Sequence, residues 1–151
     1  MIGCFSLARE TFDIEFAKKK LAKAKRLIKK LNNNIVFFDD LITNDQIGDK
    51  AIEYFANIKC TKFIVIQSTF TDAKFISSFV KKFKKPILFI SFQEKRTGER
   101  LRLNSLCGVN LGLHALIKNK FYSNFIIYKN DNESFSKEML KFLKNNNYIS
   151  K

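Results

Sequence analysis

Five short, mostly apolar runs, each followed by a longer segment of helical periodicity, limit this chain to few folds. Met1 to Leu7, Ile35 to Phe38, Lys62 to Ile66, Ile87 to Phe92 and Phe125 to Tyr128 lack the polar alternation of a half-exposed strand. Continuous runs of this length fit strands buried on both faces of a parallel sheet. Between the first two, Ile14, Ala17, Leu21, Ala24, Ile28 and Leu31 mark one face of a helix over 13–31. The intervening lysines fall on the opposite, solvated face, and Asp13 and Glu15 suit the positive end of the helix dipole. Thr43 and Gln46 have capping-box spacing, ahead of a helix with Ile47, Ala51, Tyr54, Phe55 and Ile58 on its inner side. Ala73, Ile76, Phe79, Val80 and Phe83 mark another helix, and Phe135, Met139 and Phe142 the last. Pro86, the chain's one proline, opens the fourth strand, where its missing N–H is tolerated.

The order is β-α repeated five times. Right-handed crossovers then lead to a three-layer αβα sandwich around a five-stranded parallel sheet, flavodoxin- or Rossmann-like, with strand order 2-1-3-4-5. With 151 residues, no internal repeat and no linker, one domain over 1–151 is expected.

Composition narrows the function classes. The formal charge of +14 would suit a polyanionic partner, but the excess is nearly all lysine, spread over many segments. Lys, Asn, Ile and Phe are enriched together, as an A/T-rich coding sequence would produce, and the phenylalanines follow core periodicities instead of forming a stacking platform. Nucleic acid is therefore not the expected partner; a charge-driven binder would show a steep salt dependence. Cys4, Cys60 and Cys107 are odd in number and far apart, so no disulfide framework or zinc site is read from them. The N-terminal apolar run is too short for a signal peptide and no run reaches membrane-span length. A soluble, cytoplasmic protein is expected.

Ligands of open parallel sheets bind beyond the carboxyl ends of the strands. That rule selects SLARET after strand one, QSTFTD after strand three and QEKRTGERLRLN after strand four. These segments bring Arg9, Thr11, Gln67, Thr69, Thr71, Asp72, Glu94, Arg96 and Asn104 to one rim. Guanidinium and amide groups around a pocket suit an oxygen-rich ligand such as a sugar or phosphate. The alternative is that Thr71 or Asp72 caps a helix and the arginines are solvated. No GxGxxG or GxxxxGK[ST] follows strand one, and there is no nucleophile elbow. A single histidine and scattered carboxylates do not make a metal site.

The segment RTGERLRLNSLCGVNLGLHAL, residues 96–116, differs from its surroundings: arginine replaces lysine, and it holds three of the five glycines and the lone histidine. Gly108 and Gly112, four apart, allow another backbone to come close, or place the helix start later. Asn110 and His114 share i, i+4 spacing beside an apolar face of Val109, Leu113 and Leu116, where His114 is either a packing residue or a contact group.

With FSLARETFDIEFA at 5–17, QSTFTDAKF at 67–75 and the 96–116 segment in view, the chain resembles the N-terminal domain of the L-fucose/L-arabinose isomerase-like family, over about residues 1–130. The resemblance implies an aldose–ketose isomerase in which a divalent metal, typically manganese, holds two sugar oxygens while a proton moves through an enediol. It places the metal-binding carboxylates and histidine in a later domain, so no cofactor is implied for this chain itself. It also implies an oligomer in which this domain completes a neighbour's sugar pocket, with Arg9 and His114 as polar substrate contacts. The chain stops where that family's first domain ends. The expectation is a substrate-pocket and oligomerisation domain, as a fragment, a truncated reading frame or a domain served by a partner chain. A stand-alone, non-catalytic module binding a sugar or phosphate is the other reading.

Overall fold

In the computed structural model, which describes residues 1–95, 97–121 and 123–145, the chain alternates strand and helix throughout. The elements are β1 (Ile2–Leu7), α1 (Ile14–Leu31), β2 (Ile35–Ile42), α2 (Asp45–Ala56), β3 (Lys62–Gln67), α3 (Lys74–Phe83), β4 (Ile87–Phe92), α4 (Ser105–Lys118), β5 (Asn124–Tyr128) and α5 (Asn132–Lys144). The five strands form one parallel sheet in the expected order β2-β1-β3-β4-β5. Every residue of the three inner strands β1, β3 and β4 is buried, which is why their sequences read as continuous apolar runs.

Two apolar layers cover the sheet. One packs Ala17, Leu21, Ala24 and Ile28 of α1 with Phe135, Met139 and Phe142 of α5. The other packs α2, α3 and α4 and is rich in rings: Phe79 lies 4.6 Å from Phe5, 4.8 Å from Phe63 and 4.5 Å from Phe83 between centroids. The glycines of α4 make room for side chains of the sheet, not for the second backbone their spacing suggested. A Cβ on Gly108 would lie 2.9 Å from side-chain atoms of Gln67, and one on Gly112 would lie 3.0 Å from the Phe89 ring.

The structure corrects several local expectations. The α2 N-cap is Asn44, whose side chain accepts from Ile47 N at 2.9 Å, not Thr43 in a capping box. Neither Thr71 nor Asp72 is the N-cap of α3; that position is Ala73, with no side-chain cap, although Asp72 Oδ1 accepts from Lys74 N at 3.0 Å. β2 continues past Phe38 to Ile42, with exposed Asp39 and Asp40 in the register shift against β1 between the pairs Cys4–Phe37 and Ser6–Leu41. Tyr54 is exposed, its ring against the margin of Phe38.

Nor are the α1 lysines uniformly solvated. Lys20 is buried, laid over Phe16 and Phe92, and donates to Gln93 O at 3.2 Å. Lys62 of β3 is buried too, donating to the carbonyls of Phe142, Leu143 and Asn145 at 2.8–3.1 Å, and so caps the end of α5. A long aliphatic stem that packs while its ammonium reaches backbone carbonyls can sit where a simple polar/apolar pattern excludes it. Burial also pushes the Cys4 thiol up to about 12, making it a poor nucleophile at neutral pH.

Candidate functional site

The carboxyl ends of β1, β3 and β4 are tied together by a buried hydroxyl layer. Ser6 Oγ donates to Ile66 O at 3.1 Å and lies 2.6 Å from Ser68 Oγ. Ser105, the first residue of α4, accepts from Phe92 N at 2.9 Å and donates to Gln67 O, joining the ends of β3 and β4. Gln67 Nε2 donates to Thr69 O at 2.7 Å and Thr71 Oγ1 at 2.9 Å, which fixes the turn after β3. Thr69 Oγ1 in turn accepts from Arg9 N at 2.7 Å, setting where the loop after β1 leaves the sheet. Gln67 and Thr69 are thus buried supports of the rim.

Above this layer lies a cleft of about 350 Å³ lined by Arg9, Thr11, Phe12, Phe70, Arg100, Leu101 and Asn104. Its lining contains two guanidiniums, a hydroxyl, an amide and no carboxylate. The Arg9 guanidinium lies 5.5 Å from the centre of the Phe70 ring and donates to Asp72 at 3.1 Å. That pair is largely exposed, so it orients Arg9 more than it stabilises the fold. The Arg100 guanidinium lies over Phe12, 5.0 Å from its ring centre, and the Phe12 and Phe70 rings meet at a tilt, their centroids 6.2 Å apart. A smaller hollow of about 110 Å³ adjoins on the other side of Arg9, bounded by Thr43, Asn44, Thr71, Asp72 and Phe75 among others.

The loop between β4 and α4 is held at its far end. Glu94 accepts from Leu103 N and Asn104 N, both at 2.7 Å, placing a carboxylate at the positive end of α4. Leu103 O accepts from Phe70 N at 2.8 Å, and Arg102 O from Asp13 N at 3.2 Å. Arg102 donates to the Asp13 carboxylate and stacks 3.9 Å from Phe16. The Phe16 N–H and the Arg102 side chain hold the Asp13 carboxyl below its ordinary range. Because Glu94 takes over the capping, Asn104, in the left-handed conformation at φ 52°, makes no side-chain cap and lines the cleft instead.

Of the residues named from sequence, Arg9, Thr11 and Asn104 line this cleft together, and Asp72 borders the adjoining hollow. Arg96 lies outside the described residues. Asn110 and His114 are exposed on the outer face of α4, apart from the cleft-lining residues. Phe12, Phe70 and Arg100 went unnoticed in sequence. The signal was present: Phe12 and Phe70 sit in rim loops, outside the strand and helix periodicities that most phenylalanines follow.

Among the described residues, no three of His, Cys, Asp and Glu come together in a way that could hold a metal ion. Three carboxylates of the surrounding loops are engaged: Asp13 with Arg102, Asp72 with Arg9, and Glu94 with two backbone N–H groups. These residues do not fit a divalent metal. Among the described residues, no helix is long and apolar enough to cross a membrane.

Comparison with known proteins adds the lineage. Residues 3–150 match the family described as the fucose/sulfoquinovose isomerase N-terminal domain. The sulfoquinovose isomerases of Priestia aryabhattai and Priestia megaterium are each 25% identical over 135 residues, covering 89% of this chain and 30% of those proteins. That of Alkalicoccus urumqiensis is 38% identical over 78 residues, covering 51% of this chain and 17% of the relative. The chain thus spans less than a third of the length of these relatives. With a five-stranded parallel sheet in the order 2-1-3-4-5 and a match over nearly its whole length, the chain belongs to the fucose/sulfoquinovose isomerase N-terminal domain family.

Proposed function

We propose that this chain forms the sugar-binding side of an aldose–ketose isomerase acting on a sugar of the fucose/sulfoquinovose class. The observation that carries the proposal is the cleft at the carboxyl ends of β1, β3 and β4, in a domain of this family. In it Arg9, Thr11 and Asn104 supply donors and acceptors for sugar hydroxyls, and Phe12 and Phe70 supply apolar walls. Arg9 is a binding group and not an acid or base, because a guanidinium keeps its proton. The isomerisation itself, with any divalent metal, is assigned to residues outside this domain, since those described do not fit one.

A second observation supports an assembly. From Ser105 to Ile117 there is no charged side chain, in a protein where 28% of residues are charged. Leu106 and Leu111 of α4 are more than a third exposed, Ile117 is 58% exposed, and Phe125 on the edge strand β5 is 44% exposed. We propose that another part of the isomerase, or a second copy, covers this face and brings Asn110 and His114 to a shared pocket.

The test is ketose formation by the chain combined with the rest of a family isomerase and manganese, over pentoses, 6-deoxyhexoses and sulfonated or carboxylated sugars. Ketose should form only with both parts present, and Ile117→Lys should abolish it without lowering the melting temperature of the chain. Sugar binding with no ketose would favour a stand-alone binding module. Neither binding nor ketose across the panel would sink the proposal.

A further inference from the structure

We propose that Arg100 is the specificity-determining residue of the cleft, selecting sugars that carry an anionic group such as a sulfonate over neutral ones. The inference rests on the cleft being the sugar site. The two arginines in it are electrostatically different. Arg9 has Asp72 at 3.1 Å, so much of its charge is already answered. Among the described residues no carboxylate pairs with Arg100; its contact is the face of Phe12, 5.0 Å away. The uncompensated charge of the cleft is therefore that of Arg100.

Its neighbours confine it from two sides. Phe12 N donates to Arg9 O at 3.1 Å in a tight turn, which sets the ring beneath the guanidinium. On the other side, Arg102, Leu103 and Asn104 are anchored by Asp13, Phe70 and Glu94, leaving Arg100 two residues from a pinned backbone. Stacking on a ring holds the guanidinium plane by its face and leaves its edge N–H donors for a ligand. A planar fork with five donors matches a group that presents several anionic oxygens, and discriminates against a hydroxymethyl or methyl in the same place. Thr11, Leu101 and Asn104 surround the same space without an acidic side chain to repel such a group.

The test uses the chain itself, with sulfoquinovose and its neutral counterpart 6-deoxyglucose as probes in calorimetric titrations at low salt. Arg100→Ala should weaken sulfoquinovose about tenfold to a hundredfold, as expected for loss of a charge-assisted hydrogen bond, and change 6-deoxyglucose less than about twofold. Arg100→Lys should recover only part of the loss, because the ammonium lacks the fork. Arg9→Ala should weaken both sugars. An Arg100→Ala effect equal for both sugars, or absent, overturns the inference; if Arg9→Ala still weakens both, the cleft remains the sugar site. No binding of either sugar by the unaltered chain defeats both.

Discussion

Phe79→Ala should cost about 3–5 kcal/mol of folding stability, the range for emptying a well-packed aromatic site. Phe79 is fully buried, and its ring meets Phe5, Phe55, Phe63, Phe75 and Phe83 at centroid distances from 4.5 to 6.1 Å. These neighbours come from β1, α2, β3 and α3, so the cavity sits where four elements converge and cannot close by moving one of them. For a domain of this size the loss corresponds to a drop of roughly 6–20 °C in melting temperature. Urea unfolding followed by far-UV circular dichroism measures it directly. A loss under about 1 kcal/mol would mean that the ring cluster is looser than described.

Arg9→Ala separates binding from stability. Its pair with Asp72 is exposed on both sides, so removing it should change stability by less than about 1 kcal/mol. Binding is different, because the guanidinium is held over Phe70 and faces the cleft with donors that Asp72 does not use. Losing a charge-assisted hydrogen bond to a sugar oxygen costs about 1.5–3 kcal/mol, or roughly tenfold to 150-fold in affinity. Arg9→Lys keeps the charge but not the fork and should fall between the two. Equal sugar affinity in Arg9→Ala and the unaltered chain would remove Arg9 from the site. A large fall in melting temperature would make it a structural residue instead.

The fold was largely legible because burial on both faces leaves its mark residue by residue. Ile64, Val65 and Ile66, or Leu88, Phe89 and Ile90, can only be inner strands, and Ala17, Leu21, Ala24 and Ile28 only one helix face. What failed was decided by geometry finer than pattern. Thr43 and Asn44 are both good caps one residue apart, and the backbone chose Asn44. Lys20 reads as a solvated helix residue, yet it reaches a backbone carbonyl 73 residues away, and nothing in the run at 62–66 shows that Lys62 reaches carbonyls 80 residues or more away. The rim was legible from the rule that ligands sit beyond strand ends, and Arg9, Thr11 and Asn104 do meet there. The roles within it were not. Nothing in the sequence says that Glu94 serves the start of α4, or that the rings of Phe12 and Phe70, 58 positions apart, meet.

The measurement that tests the central claim most directly is a backbone amide NMR titration of the chain with sulfoquinovose. If the cleft holds the sugar, the shifts concentrate at Arg9, Thr11, Phe12, Phe70, Arg100, Leu101 and Asn104, while the lysine-bearing outer face of α1 stays unmoved. Shifts spread over the lysines of α1 and α5 and abolished by modest salt, with none at the cleft, would contradict it and leave a nonspecific cationic surface in its place.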